Sequence, residues 1–194
     1  MTENKINIGF ALTGSFCCHK DVIEEIRNLV KKGYNVIPFL TPTALKTSTR
    51  FGTAEDLQRS LYEITGNSPV STIVEAEPMG PSGMIDVLVV APCTGNTLSK
   101  LANGITDNAV TMIAKAMSRN YKPVVVGVST NDGLGLSLKN IATLIPSKNY
   151  YFVPFGQDNP EKKPKSLVAK WTEIENSVQK ALQGKQIQPL LTIS

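Results

Sequence analysis

The chain has 194 residues, of which 41% are hydrophobic and 19% charged, and its 20 basic and 16 acidic residues give a net charge of +4. These values are typical of a globular protein that is large enough to bury a hydrophobic core. The basic residues are spread along the chain, which argues against a nucleic-acid-binding protein, and no apolar run approaches the roughly 18 residues of a membrane-spanning helix.

Short apolar runs predict the strands. The first run follows residues 1–5, which hold no apolar segment of a secretory leader, so a cytoplasmic protein is expected. Residues 87–91 are almost uninterruptedly apolar and β-branched, which is typical of a strand buried on both faces of a parallel sheet. Pro92 should end this strand, because proline has no N–H for the ladder. In chain order, the predicted strands are residues 6–12, 35–40, 72–74, 87–91, 123–128 and 150–153.

Helices are predicted where apolar residues recur at helical spacing, as in Val22, Ile26 and Leu29 before the helix-ending Gly33. Residues 46–50 and 154–164 are predicted to be irregular. The alternation of strands and helices predicts a single doubly wound α/β domain over residues 1–194, with a mostly parallel sheet and helices on both faces. In chain order, the predicted helices are residues 16–32, 53–65, 98–105, 108–120, 136–145 and 166–182.

Small polar residues follow four of the predicted strands, in the turns at residues 13–15, 41–43, 92–97 and 129–131. Parallel strands end at the same edge of a sheet, so these turns should lie together at its carboxyl edge. Any one of them could simply cap a helix. Four together predict a ligand site. The first turn lacks a G-x-G-x-x-G dinucleotide motif and suits a single phosphate better than a pyrophosphate.

Residues 91–108 carry the pattern A-P-x-T-x-N-T-x-x-K-x-A-x-G-I-x-D-N. This pattern resembles the signature of the flavin-containing cysteine-decarboxylase-type flavoproteins, which include phosphopantothenoylcysteine decarboxylase, lantibiotic-processing decarboxylases and flavin prenyltransferases. The resemblance implies FMN as cofactor and a homo-oligomer, a trimer or larger. By the same resemblance, Asn96 is the residue most strongly expected to contact the flavin. The full set of cofactor-binding residues that it implies is Gly14, Ser15, Thr41, Thr43, Pro92, Thr94, Gly95, Asn96, Thr97, Ser129 and Asn131.

The chain also departs from the decarboxylases of this family. Their catalytic histidine falls in the region of residues 74–79, whereas the one histidine of this chain is His19. Their substrate clamp reads P-x-M-N-x-x-M-W, and the corresponding residues 128–135 keep only the asparagine, Asn131. Oxidative decarboxylation of a cysteine is therefore not expected. The catalytic residues are left open.

Segments at residues 8–17, 129–136 and 152–170 resemble one branch of the family, found in spore-forming bacteria. That branch implies oxidation of a dihydropyridine dicarboxylate to the aromatic pyridine dicarboxylate, in the cytoplasm of the mother cell. It also implies a partner protein that resembles a nicotinamide-binding dehydrogenase, so NADP could act through the partner. A dicarboxylate needs cationic groups, and Arg50 and Lys100 are the candidates. Plain surface charge is the alternative for each.

Two other interpretations stay open: a stand-alone FMN enzyme, and a scaffold protein that has lost the flavin. Cys17, Cys18 and Cys93 match no zinc-binding spacing, so no metal site is predicted and structural roles are expected. Three cysteines, two of them adjacent, are also no disulfide framework. His19 is predicted to lie on the surface of the first helix.

Overall fold

The computed structural model describes residues 5–192. Residues 1–4, on which the expected absence of a leader largely rests, lie outside it. Within the described residues, seven strands form one sheet in which β2, β1, β3 and β4 are neighbours in that order. The strands are β1 (Asn7–Leu12), β2 (Asn35–Leu40), β3 (Val87–Cys93), β4 (Val124–Thr130), β5 (Tyr150–Phe152), β6 (Phe155–Gly156) and β7 (Leu167–Ala169).

The first five strands run parallel. β1 pairs with β2 from Asn7↔Asn35 to Leu12↔Leu40, and with β3 on its other side. β5 extends the parallel ladder along the first half of β4. β7 pairs antiparallel with the last two residues of β4, Ser129 and Thr130. β6 then pairs antiparallel with β7. The predicted mostly parallel α/β sheet is confirmed, with a small antiparallel extension at one corner of its carboxyl edge.

Helices cover the sheet in two groups. α1 packs against α3 and the turn before α8, whereas α6 packs against α4 and α5, and α5 against α7. Every residue of β3 is buried, as expected for a central strand covered on both faces. Among residues 5–192, no helix is long and apolar enough to cross a membrane. The helices are α1 (His19–Lys31), α2 (Pro42–Lys46), α3 (Ala54–Thr65), α4 (Ile73–Ala76), α5 (Gly95–Ala102), α6 (Ala109–Arg119), α7 (Leu138–Leu144) and α8 (Ile174–Leu182).

The strand predicted at residues 72–74 is wrong, because that segment opens helix α4. The Thr72 hydroxyl accepts a hydrogen bond from the Glu75 N–H (3.2 Å), and the Glu75 carboxylate accepts one from the Thr72 N–H (3.0 Å). This reciprocal capping box starts a helix despite two β-branched residues.

The helix predicted at residues 166–182 begins too early. Leu167–Ala169 form strand β7, a short 3-10 turn follows at Trp171–Glu173, and α8 starts at Ile174. The open end of β4 offers backbone partners to this segment, and that long-range pairing overrides a helical pattern that is otherwise continuous.

Two predicted strand ends are also wrong. β3 does not stop before Pro92 but continues to Cys93, and its register with β4 shifts between Val90 and Cys93. Such an irregularity is where a sheet tolerates a proline. β4 continues to Thr130, so Ser129 belongs to the strand and not to the turn after it.

Candidate functional site

A groove runs along the carboxyl edge of the sheet, where the predicted turns meet; we call it the edge groove. Its narrow half encloses about 300 Å³ and its wide half about 680 Å³. Predicted cofactor residues line both. Those at the narrow half are Gly14, Thr41, Thr43, Thr94, Asn96 and Thr97. Those at the wide half are Gly14, Ser15, Thr94, Gly95, Ser129 and Asn131.

Helix N-termini face the narrow half. Helix α5 begins at Gly95, and its N-cap Thr94 accepts a hydrogen bond from the Thr97 N–H (3.3 Å). Helix α6 begins behind Asn108, whose Oδ1 accepts from the N–H groups of Val110 (3.0 Å) and Thr111 (3.1 Å). These caps satisfy the N–H groups of Thr97, Val110 and Thr111, but the remaining N–H groups of each first turn and the positive end of each helix dipole still attract anions. The narrow half is therefore suited to a phosphate.

Gly95 lines the wide half at a point where the α5 turn packs closely against neighbouring elements. A Cβ at this position would lie 2.7 Å from Ser137 Oγ and 2.9 Å from Thr130 Oγ1. Any side chain would therefore displace the end of β4 or the residue that precedes α7. The glycine lets the α5 turn approach these two elements closely.

Pro92 lies behind the groove and does not line it. Its carbonyl accepts a hydrogen bond from Thr13 Oγ1 (2.6 Å), and the same hydroxyl accepts one from the Thr94 N–H (3.1 Å). Thr13 is fully buried. This threonine, which is not among the predicted site residues, joins the exit of β1 to the exit of β3 and sets the distance between two walls of the groove.

His19 is buried, so its predicted position on the helix surface is wrong. Its Nε2 lies 2.7 Å from the Thr13 carbonyl oxygen, and since a carbonyl only accepts, Nε2 carries the hydrogen. Burial lowers the pKa of His19, although the bond to Thr13 opposes that shift. The neutral imidazole holds the β1 turn from below. Sequence alone does not predict that His19 is buried, because helical spacing does not show that the first turn of α1 contacts the turn after β1.

The wide half carries a cluster of hydroxyl and thiol groups. Ser15 Oγ and Ser129 Oγ are 2.7 Å apart, and Cys18 Sγ lies 3.3 Å from Ser129 Oγ. Burial raises the pKa of the Cys18 thiol, and burial alone raises the pKa of Cys93. Both thiols therefore stay protonated at neutral pH. Within residues 5–192 no group of histidine, cysteine and acidic residues has the arrangement of a metal site.

The structure places the two predicted substrate cations in different surroundings. Lys100 lines the narrow half, but its Nζ lies 2.5 Å from Asp107 Oδ2, so it is neither a solvated lysine nor a free charge. Its ammonium holds the pKa of Asp107 below its usual range. Arg50 lies outside the groove and stacks on the ring of Phe51, with Cζ 4.9 Å from the ring centroid.

A cation that the sequence does not single out lines the wide half instead. Lys163, in the segment between β6 and β7, has its Nζ 3.2 Å from Asp158 Oδ2. Burial tends to raise the pKa of Asp158, but hydrogen bonds from Ser166 and Lys163 outweigh it and the net shift is downward. Trp171 lines the same wall. The sequence predicts only an irregular segment here, and the antiparallel pairing of β7 brings it to the groove.

Known proteins are similar to this chain in sequence and in fold. The model of the Flavoprotein family matches residues 1–182. The B subunit of dipicolinate synthase from Bacillus subtilis is 47% identical over 184 residues, which cover 95% of this chain and 92% of that protein.

Two solved structures are also similar. The crystal structure of the dipicolinate synthase B subunit from Bacillus halodurans matches with a TM-score of 0.90 and 46% identity over the whole of both chains. DmrB of Burkholderia xenovorans in complex with FMN matches with a TM-score of 0.70 over 93% of this chain and 97% of that one. At 18% identity the latter likeness shows the fold alone.

Proposed function

The chain belongs to the Flavoprotein family, and from this premise we propose that it is the B subunit of a dipicolinate synthase. It would act with the A subunit of that enzyme to oxidise dihydrodipicolinate to dipicolinate, pyridine-2,6-dicarboxylate, in the mother cell of a sporulating bacterium. The observation that carries this proposal is the 47% identity to a protein of that name over 95% of the chain. The family resemblance read from residues 91–108 is confirmed.

We place a flavin, FMN, in the edge groove. The phosphate would lie in the narrow half, against the N-termini of α5 and α6 and the hydroxyl of Thr43. The ring system needs a wider space, and the wide half offers it beside Ser15, Ser129 and Trp171. The absence of a side chain at Gly95 lets the α5 turn pack closely against Thr130 and Ser137 at the wide half. Bound flavin would supply a two-electron acceptor, the chemistry that aromatisation of a dihydropyridine requires.

The protein's own residues would position the substrate. We assign Lys163 as the cation that faces a substrate carboxylate in the wide half. Asp158 pairs with it, but at 3.2 Å and with a well-exposed lysine side chain. Lys100, in contrast, lies 2.5 Å from Asp107 and is less exposed, and Arg50 lies outside the groove. The Ser15 and Ser129 hydroxyls can donate to a second carboxylate oxygen. Neutral Cys18 adds no competing negative charge. No group in the wide half is assigned as a catalytic base.

Assembly completes the proposal. The relatives are named as subunits of an enzyme, which supports a partner, the A subunit, through which NADP would act. A homo-oligomer, a trimer or larger, is expected from the family resemblance. The cysteine-decarboxylase activity of other family members is not proposed, because the region of their histidine, residues 74–79, is here the end of helix α4 and the 3-10 turn Glu77–Met79 and holds no histidine.

The test is the visible spectrum of the purified chain after FMN is added, followed by the spectrum of its mixture with the A subunit and fresh dihydrodipicolinate. We expect a bound-flavin spectrum that bleaches when substrate is added without oxygen. The same assay with Lys163→Gln tests the assigned cation. Lys162→Gln is its control, since both lysines lie in one segment and only Lys163 lines the groove.

Other outcomes would assign the redox role differently between this chain and the A subunit. If the chain stays colourless and dipicolinate forms only when both proteins and a nicotinamide are present, the redox centre lies in the A subunit and this chain is a scaffold. If flavin turns over substrate without the partner, the chain is a stand-alone enzyme. Equal dipicolinate formation without this chain would refute the assignment.

A further inference from the structure

A second cleft of about 590 Å³ lies away from the wide half of the edge groove, between α6, the loop after α5 and the loop after α7. We call it the basic cleft. Four cationic side chains line it: Lys100, Lys115, Arg119 and Lys148. Its size is that of a small-molecule site. Neither the family resemblance nor the reaction proposed above gives it a role.

No acidic residue lines the basic cleft within the part of the chain that the structure describes. The edge groove differs, because Asp21, Asp107, Asp132 and Asp158 lie along it. The sequence shows the same excess of positive charge: residues 108–149 contain five basic residues and one acidic residue, Asp132. Those five are Lys115, Lys122, Lys139, Lys148 and Arg119.

Within residues 5–192, three of the four cations form no salt bridge. In residues 5–192, Lys100 is the one cation of the cleft that takes part in a salt bridge, with Asp107. Lys115 and Arg119 are one helical turn apart and project from the same face of α6. Lys148 belongs to the turn before β5, and its Nζ lies 4.7 Å from the ring centroid of Tyr121. The helix dipole favours Arg119 in the last turn of α6 but explains neither Lys115 nor Lys148.

The floor of the cleft is apolar with a polar edge. Leu101 and Leu144 form its base, and Tyr150 forms one wall. Burial raises the pKa of the Tyr150 phenol to about 12, so its hydroxyl remains a hydrogen-bond donor. Cations on two sides of an apolar floor match a ligand with an apolar body and more than one negative charge.

The basic cleft also meets the edge groove. Lys100 lines both, and its partner Asp107 stands beside Asn108, the N-cap of α6. An anion in the cleft would compete with Asp107 for Lys100. Occupancy would therefore alter the charge at the narrow half of the groove.

From these contacts we propose that the basic cleft is a second binding site for a small organic dianion, either an aromatic dicarboxylate or a phosphate on an apolar body. The site uses Lys115 and Arg119 on one side and Lys148 on the other. It needs no flavin and no partner protein, so it holds or fails independently of the function proposed above.

The test is calorimetric titration of the full chain, without flavin, at low ionic strength. The probes are pyridine-2,6-dicarboxylate, its matched monoanion pyridine-2-carboxylate, and phenyl phosphate. We expect the two dianions to bind more tightly than the monoanion, and added salt to weaken them. Removing two exposed cations in Lys115→Gln/Arg119→Gln should weaken dianion binding about fivefold to tenfold.

Two controls separate the basic cleft from the edge groove. The double variant Lys180→Gln/Lys185→Gln removes the same charge at the end of α8, outside the cleft, and should bind as the wild type does. Trp171, the single tryptophan, lines the edge groove, so its fluorescence reports binding there and should not follow the calorimetric signal of the cleft.

Two results would overturn the proposal. The first is equal weakening by both double variants, which means non-specific attraction to a basic surface. The second is heat of binding that is lost in Lys163→Gln and unchanged in the cleft variant, which means the edge groove binds every probe. The two dianions distinguish the sources: preference for the dicarboxylate identifies an aromatic dicarboxylate as the ligand class, and preference for phenyl phosphate identifies a phosphorylated compound.

Discussion

The two halves of the edge groove are built in different ways. The narrow half consists of strand exits and helix N-termini, tied together by the buried Thr13 and capped by Thr94 and Asn108. The wide half takes one wall from the antiparallel corner of the sheet, with Lys163 and Trp171. A parallel sheet alone creates the first half, whereas the second needs chain from another part of the fold.

This difference separates two tasks. Backbone N–H groups and small hydroxyls recognise a phosphate whatever the reaction is, so the narrow half suits a cofactor. Side chains of Lys163, Cys18 and Ser129 are specific to the wide half and suit a substrate. We therefore expect variants in the narrow half to change flavin affinity or stability, and variants of Lys163, on the wall of the wide half assigned to the substrate carboxylate, to change substrate use and spare flavin affinity.

The largest expected effect is that of Thr13→Val. Valine keeps the shape of threonine but leaves the Pro92 carbonyl and the Thr94 N–H without their partner. The free energy of unfolding should fall by about 2–4 kcal/mol, measured by urea titration. Thr13→Ser keeps the hydroxyl and should cost much less. A valine variant as stable as the wild type would show that Thr13 does not join the two strand exits.

Asn96→Ala should weaken FMN binding by about tenfold, as loss of a hydrogen bond to a charged ligand does, because Asn96 lines the narrow half. Flavin fluorescence quenching measures it. Asn103→Ala is the matched control at the other end of α5, where the side chain donates to the Ser99 carbonyl (2.7 Å). Equal affinities of the two variants would remove Asn96 from the cofactor site.

Lys163→Gln should spare flavin affinity and raise KM for the dicarboxylate by about fivefold, the range for a partly exposed ion pair. Steady-state kinetics in the presence of the A subunit measures it, and Lys162→Gln should behave as the wild type. A change in flavin affinity as large as that in KM would contradict the division of the groove into two tasks.

The strand-exit turns that line both halves are predictable from sequence, whereas the wall with Lys163 and Trp171 in the wide half is not. Turns after β1, β2 and β3 follow from local patterns, since parallel strands align their exits without further information. Lys163 was missed because β7 forms through pairing with residues about forty positions earlier in the chain, and its sequence also fits a helix. The structure places Lys100 at the groove, but its pairing with Asp107 depends on the course of the loop between α5 and α6, which the sequence does not predict.

A smaller effect concerns pH. The pKa of His19 is lowered by burial, so the unfolded chain takes up this proton at a higher pH than the folded one. Stability from neutral His19 is complete above the unfolded pKa, about 6.5, and is lost as pH falls through the lower folded pKa. His19→Gln can still donate to the Thr13 carbonyl but does not titrate. Urea titrations from pH 7.5 to 5 should show this loss in the wild type and not in the variant.

The smallest effect sharpens the comparison most, because it separates charge from structure within the narrow half. The pKa of Asp107 is lowered by the hydrogen bond from Lys100, so the pair stabilises the fold above the unfolded pKa, about 3.9, and this is lost as pH falls through the folded pKa. The pair is half exposed on the Asp107 side and screened, so Asp107→Asn should cost only about 0.5 kcal/mol at pH 7, and the cost should shrink as the pH falls below the unfolded pKa. The same change frees the Lys100 ammonium at the narrow half. FMN should then bind about twofold to threefold more tightly, as expected for one added exposed cation, and Lys100→Gln/Asp107→Asn should lose that gain. Weaker FMN binding in Asp107→Asn would instead mean that the pair holds the shape of the groove, and that the phosphate is recognised by helix N-termini without help from Lys100.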